Sequence, residues 1–141
     1  MRFWDSSAIV PLALSEPHTT RTRRWLQEDA NVVVWTLTRV ELLSAIARRR
    51  RQEPEAARRL SEARRSLLAE WERWTEVTAV DLVRRHAERV VEAHRLRAAD
   101  ALQIGAALVA AGDDPGSLAF VTLDAAQAEA AEHEGLRVLG P

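Results

Sequence analysis

The 141-residue chain has no cysteine and no lysine, although it carries 20 basic residues, all of them arginine. Without thiols it can have no disulfide framework, thiolate zinc site or cysteine nucleophile. That fits a reducing, cytoplasmic setting. Without lysine it can have no P-loop, no Schiff base and no phosphoreceiver lysine. A G+C-rich coding sequence accounts for the arginine bias. No apolar run approaches the roughly 18 residues needed to span a bilayer. The chain opens on a strand-like segment, without signal-peptide architecture. Charge of one sign is also lacking: 21 acidic residues offset the arginines to a net −1. No global basic field therefore advertises nucleic-acid binding. The expectation is a soluble cytoplasmic protein with no membrane association, folded as one domain over residues 1–141.

What is present alternates between short apolar runs and longer helical patterns. Arg2–Asp5 reads as a strand, followed by helices over Ser7–Leu14 and Thr20–Glu28. The β-branched run Asn31–Trp35 is a second strand. A helix is expected from about Leu37 to Arg51 and another from Pro54 to about Trp74. Then come a strand over Glu76–Val80 and a helix over Leu82–His94. The Ala/Leu-rich helix Ala98–Ala111 ends at Gly112 and an Asp-Asp-Pro-Gly turn. Strand Leu118–Leu123, helix Ala125–Glu134 and strand Arg137–Leu139 complete the chain. Strands joined by helical crossovers imply an α/β fold, with a mainly parallel sheet covered on both faces. The charged helices around Pro54 are expected to form a projecting pair.

Four carboxylates interrupt apolar segments: Asp5, Glu41, Asp100 and Asp124. Burying an ionised carboxylate costs several kcal/mol unless it is paired, hydrogen-bonded or metal-bound. Glu41 is the sharpest case. Its helical neighbours are Leu37, Thr38, Ser44 and Ala45, none of them cationic. Asp100 has Arg97 three residues earlier and could instead sit in the first turn of its helix. Asp124 with Gln127 has the spacing of a capping box, and Asp5 could cap the helix that follows it. Asp5 and Asp124 both fall at carboxyl ends of expected strands, where open α/β sheets bind ligands. Gathered together, four acids would repel one another and raise each other's pKa. A divalent cation removes that conflict, and all-oxygen ligation selects Mg²⁺ or Mn²⁺. Ser6 and Thr122 flank two of the acids as supporting hydroxyls.

The segments Phe3-Trp4-Asp5-Ser6-Ser7-Ala8, Arg39-Val40-Glu41-Leu42, Leu96–Leu102 and Val121-Thr122-Leu123-Asp124 resemble the four acidic motifs of PIN-domain ribonucleases. They are most similar to the VapC toxins of bacterial toxin–antitoxin pairs, in order and over almost the whole chain. The resemblance implies a three-layer α/β/α fold and a Mg²⁺- or Mn²⁺-dependent endoribonuclease acting on RNA. It also implies a homodimer and a VapB-type antitoxin that covers the acidic pocket. On this resemblance Asp5, Glu41, Asp100 and Asp124 are the metal ligands, with Ser6 and Thr122 supporting them. Gln103 departs from the histidine common in relatives, and Trp35 from the small hydroxyl residues usual before the glutamate.

Between Arg48 and Arg65, eight arginines face three glutamates. The run Arg48, Arg49, Arg50 and Arg51 continues the Glu41 helix and could track an RNA backbone; otherwise it is a solvated face laced by ion pairs. A catalytically weak PIN scaffold that mainly binds an antitoxin, or a PIN nuclease in RNA processing, stay open as alternatives.

Overall fold

A computed structural model describes residues 1–141. In chain order the elements are β1 (Arg2–Trp4), α1 (Ser6–Ala13), α2 (Thr19–Glu28), β2 (Val32–Trp35), α3 (Thr38–Gln52), α4 (Ala57–Trp71) and β3 (Thr75–Val77). They continue as α5 (Val80–Ala93), α6 (Ala98–Ala111), β4 (Ala119–Val121), α7 (Ala125–His133) and β5 (Arg137–Leu139). Short 3₁₀ turns at Pro54–Ala56 and Pro115–Ser117 lead into α4 and β4. The five strands are all parallel, in the order β3-β2-β1-β4-β5. Every expected element is present.

The strands are only three or four residues long, and period-two alternation sends their side chains to opposite faces. Phe3, Val33, Trp35, Val77 and Phe120 pack against α5, α6 and α7. Phe3 and Phe120 stack across β1 and β4 with centroids 5.7 Å apart. Trp4, Val32, Val34 and Val121 face the other way, onto Ile9, Leu42, Ile46, Leu60, Leu67 and Trp71 of α1, α3 and α4. The result is the expected three-layer α/β/α sandwich. The α3–α4 pair lays its apolar side on this second core and turns its arginines outward. Trp35 is part of the first core, and its indole N–H has no partner there.

On the first face, α5 and α6 lie very close together. A Cβ on Gly105 would come within 2.8 Å of the Val83 carbonyl oxygen, so only glycine fits there. Gly112 and Gly135 end α6 and α7 with φ of 63° and 88°, a region open to residues without a Cβ.

Some boundaries differ from the sequence reading. The Pro54 helix begins as a 3₁₀ turn and its α-helical part stops at Trp71, where the Trp71 and Trp74 rings meet at a 54° tilt with centroids 5.7 Å apart. β3 ends at Val77 and α5 starts at Val80, both earlier than expected. Trp71 explains the early strand: its indole donates to Glu76 at 2.7 Å and fixes that edge. Connections from β1 run to one side of the sheet, while β4 and β5 lie on the other. The direction therefore reverses between β1 and β4. That reversal lies at the carboxyl ends of the strands, where parallel sheets place ligands.

Candidate active site

Asp5 stands at that reversal, immediately after β1, and is completely buried. It is also the N-cap of α1, so its carboxylate is fixed from its own side of the reversal. Oδ1 accepts from the Ser7 backbone N–H, and Oδ2 accepts from Ser7 Oγ at 2.9 Å. Thr122, on the segment leaving β4, donates to Oδ2 from the other side of the reversal at 2.6 Å. Ser7 Oγ in turn accepts from the Leu123 N–H at 2.8 Å. The Asp5 backbone N–H donates to the Val121 carbonyl at 3.0 Å. Together these bonds tie the β1 and β4 exits into one rigid corner.

No cation shares this corner with Asp5. Burial pushes its pKa up to about 6 from 3.8, the bonds from Thr122 and Ser7 pull it back, and the charge of Glu41 raises it further. Glu41 lies in the first turn of α3 and has no arginine either. Its Oε1 accepts from Gln103 Nε2 at 3.1 Å. Nearby arginines pair elsewhere, Arg39 with Glu72 and Arg49 with Glu16 and Glu53. Gln103 is buried and also bonds Thr38 Oγ1 at 2.8 Å, so its amide sets the orientation of the glutamate.

Asp100 lies one helical turn before Gln103 on α6. Its Oδ1 accepts from Gln127 Nε2 at 3.2 Å. Arg97 approaches Oδ2 at 3.5 Å, but its side chain is 87% exposed, so the pair is solvated and weak. Asp124 caps α7, accepting from the Gln127 N–H at 2.9 Å. The capping box expected for Asp124 and Gln127 forms only in part. Its return bond would carry the Gln127 side chain to the Asp124 N–H; Thr122 Oγ1 takes that N–H at 3.1 Å, and Gln127 reaches Asp100 instead.

The four acids are therefore connected around one rim. Gln103 joins Glu41 to the Asp100 helix, Gln127 joins Asp100 to Asp124, and Thr122 joins the Asp124 segment to Asp5. They do not form a ready-made cage: no three acidic or histidine side chains lie at metal-holding spacing. Neutral amides and hydroxyls occupy the spaces between the carboxylates. As donors the residues fit a hard divalent cation, being oxygen ligands with almost no competing positive charge. The raised pKa of Asp5 marks the negative charge such an ion would relieve.

Ser6 begins α1, and its hydroxyl makes no hydrogen bond; the bonds run through Ser7, one residue later. An aspartate followed two residues on by serine is the sequence signal for that turn. Gln103 and Gln127 carry no comparable signal. Arg48, Arg49, Arg50 and Arg51 lie in the last turns of α3. Arg49 is held by Glu16 and Glu53, while the other three are exposed and unpaired. Arg48 is seven residues from Glu41, which puts it on nearly the same helix face and about 10 Å further along. Among the histidines, His94 binds Glu134 at 2.9 Å, away from the acids. No helix is long and apolar enough to cross a membrane.

A family model, described as PIN domain, matches residues 2–133. Among solved structures, FitAcB from Neisseria gonorrhoeae is similar with a TM-score of 0.63 and 20% identity. That likeness covers 99% of this chain and 96% of the other. No curated protein matches in sequence.

Proposed function

The chain belongs to the PIN domain family, and from that premise we propose that it is a Mg²⁺- or Mn²⁺-dependent endoribonuclease, the VapC-type toxin of a toxin–antitoxin pair. One observation carries the reading. A fully buried Asp5, its pKa raised to about 6, sits at the sheet's reversal beside three further acids that accept from neutral donors, only Asp100 also meeting an arginine, the exposed Arg97. A purely structural carboxylate in that position would be better served by an arginine, of which this chain has 20.

In this reading Asp5, Glu41, Asp100 and Asp124 hold the ion, which supplies charge neutralisation at the phosphate and a lowered pKa for water. The protein's share is placement. Ser7 and Thr122 lock the Asp5 carboxylate, Gln103 aims Glu41, and Ser6 offers a spare hydroxyl at the start of α1. Arg48, Arg50 and Arg51 provide unpaired guanidinium groups for backbone phosphates, with Arg49 anchored among them. The whole chain acts as a single PIN domain.

Partners follow from the same surface. Leu37 and Val40 beside Glu41, and Val80, Leu82 and Val91 on α5, are exposed apolar side chains that suit a second copy of the chain. A VapB-type antitoxin would cover the acidic rim with a basic tail. It could seat an apolar segment in the hollow of about 350 Å³ between α1, α2 and α4, lined by Leu12, Leu26, Leu67 and Trp74.

Cleavage of a structured RNA with Mg²⁺ or Mn²⁺ tests the reading. Asp5→Asn and Asp100→Asn should each lower the rate by at least about a hundredfold, because losing even a residue that only hydrogen-bonds a metal ligand costs roughly 10–100-fold. Chelator should abolish wild-type cleavage. Undiminished cleavage by both variants would end the proposal. A wild type that takes up no divalent ion and cuts nothing would favour the antitoxin-binding scaffold.

A further inference from the structure

Gln127 is 3% exposed, yet its side-chain oxygen is buried with no hydrogen-bond partner. A glutamine kept for packing alone would be a poor choice, because a buried, unsatisfied amide oxygen is destabilising and leucine or methionine would fill the space without that cost. Local rules of this kind are typically broken at functional sites. Here the compensating feature is visible. The backbone N–H holds Asp124 Oδ1 at 2.9 Å, and Nε2 of the same residue holds Asp100 Oδ1 at 3.2 Å. The side chain has left the capping-box position, where it would have stabilised α7 locally, and spans instead to α6. One residue thereby sets the spacing of two acids that belong to different helices. A neutral amide can do this without neutralising either carboxylate, whereas an arginine would compete with a cation for both.

We propose that Gln127 is a positioning residue that holds Asp100 against Asp124 for divalent-ion binding, at the expense of fold stability. The inference rests on the nuclease reading, but its signature differs from that of a ligand and from that of a structural residue. Losing the amide while keeping the volume should weaken metal binding and leave the metal-free fold as stable as before or more so. A structural role predicts the reverse.

The experiment compares full-length wild type with Gln127→Met, measuring Mn²⁺ affinity by calorimetry and thermal midpoint in chelator. Affinity should fall roughly 10–100-fold, the usual effect of removing an outer-shell partner. The midpoint should be equal to wild type or higher by up to roughly 2–4 °C. Unchanged affinity would overturn the proposal, whatever happens to the midpoint. If affinity and midpoint fall together, the substitution has damaged the fold generally and the idea is sunk. A wild type that binds no Mn²⁺ removes the nuclease reading and this inference together, whereas normal wild-type binding with an indifferent Gln127→Met removes the inference alone.

Discussion

Asp5 and Glu134 are both withdrawn from bulk water, but Glu134 lies in the fork of an arginine while Asp5 meets only hydroxyls and one backbone amide. Arg89 grips both oxygens of Glu134 and His94 adds a third bond at 2.9 Å, tying the end of α5 to the end of α7. The Arg89 bond holds the Glu134 carboxyl below its ordinary 4.5, with His94 helping and burial opposing. At Asp5 desolvation prevails and the shift is upward. At Glu134 the chain supplies the compensating cation from its own sequence. Along the strand-end rim it supplies amides and hydroxyls, and the one arginine there, Arg97 beside Asp100, is 87% exposed and compensates weakly. This difference in charge compensation supports the cation site proposed for the rim.

The contrast can be broken most forcefully at Asp5. Its folded pKa lies above its unfolded value, so its contribution to stability is most favourable below pH 3.8 and is lost as pH rises through about 6. At roughly 1.4 kcal/mol per pKa unit, the metal-free fold carries a penalty of order 3 kcal/mol above that range. Asp5→Asn should therefore kill cleavage yet stabilise the metal-free protein at pH 7–8 by about 1–3 kcal/mol. Urea unfolding in chelator from pH 4 to 8 reads this directly. A destabilised variant at pH 8 would contradict the account.

Glu134→Gln should do the opposite. The Glu134 pKa is lowered, so its stabilisation is present above the unfolded value and fades as pH falls through the folded one. The side chain of Arg89 is 55% exposed, which limits the loss to about 1–2 kcal/mol. Cleavage and Mn²⁺ affinity should not change. A metal-binding defect in Glu134→Gln would blur the line between the two regions.

The smallest effect belongs to the arginines. Arg48→Ala, Arg50→Ala and Arg51→Ala should each reduce the salt dependence of RNA binding by about one unit of slope. Arg49→Ala should act instead through lost pairing with Glu16 and Glu53. Slopes unchanged in all of the first three would make this face merely solvated.

Much of the fold was legible because its signals are local. The run Val32-Val33-Val34 could only be a strand, and the Ala/Leu-rich α6 only a buried helix with Gly112 at its end. Asp5 and Asp124 announced themselves by closing apolar runs. The missing part is what holds the acids. Gln103 reaches Glu41 across 62 residues, Gln127 reaches Asp100 across 27, and Arg89 meets Glu134 across 45. No periodicity or capping pattern encodes contacts of that range; they exist only once α6 and α7 are docked. The Asp124–Gln127 spacing even pointed to a local bond, and tertiary structure redirected the side chain elsewhere. Ser7 was within reach of a local rule, since an aspartate N-cap bonds the N–H two residues on.

If the rim acids are assembled for a divalent cation, Mn²⁺ titrated into the metal-free protein near pH 7.5 and followed by electron paramagnetic resonance will bind there. Saturable binding that disappears in Asp5→Asn and survives in Glu134→Gln is the predicted result. Absence of saturable binding in wild type, or equal binding in all three proteins, would contradict it.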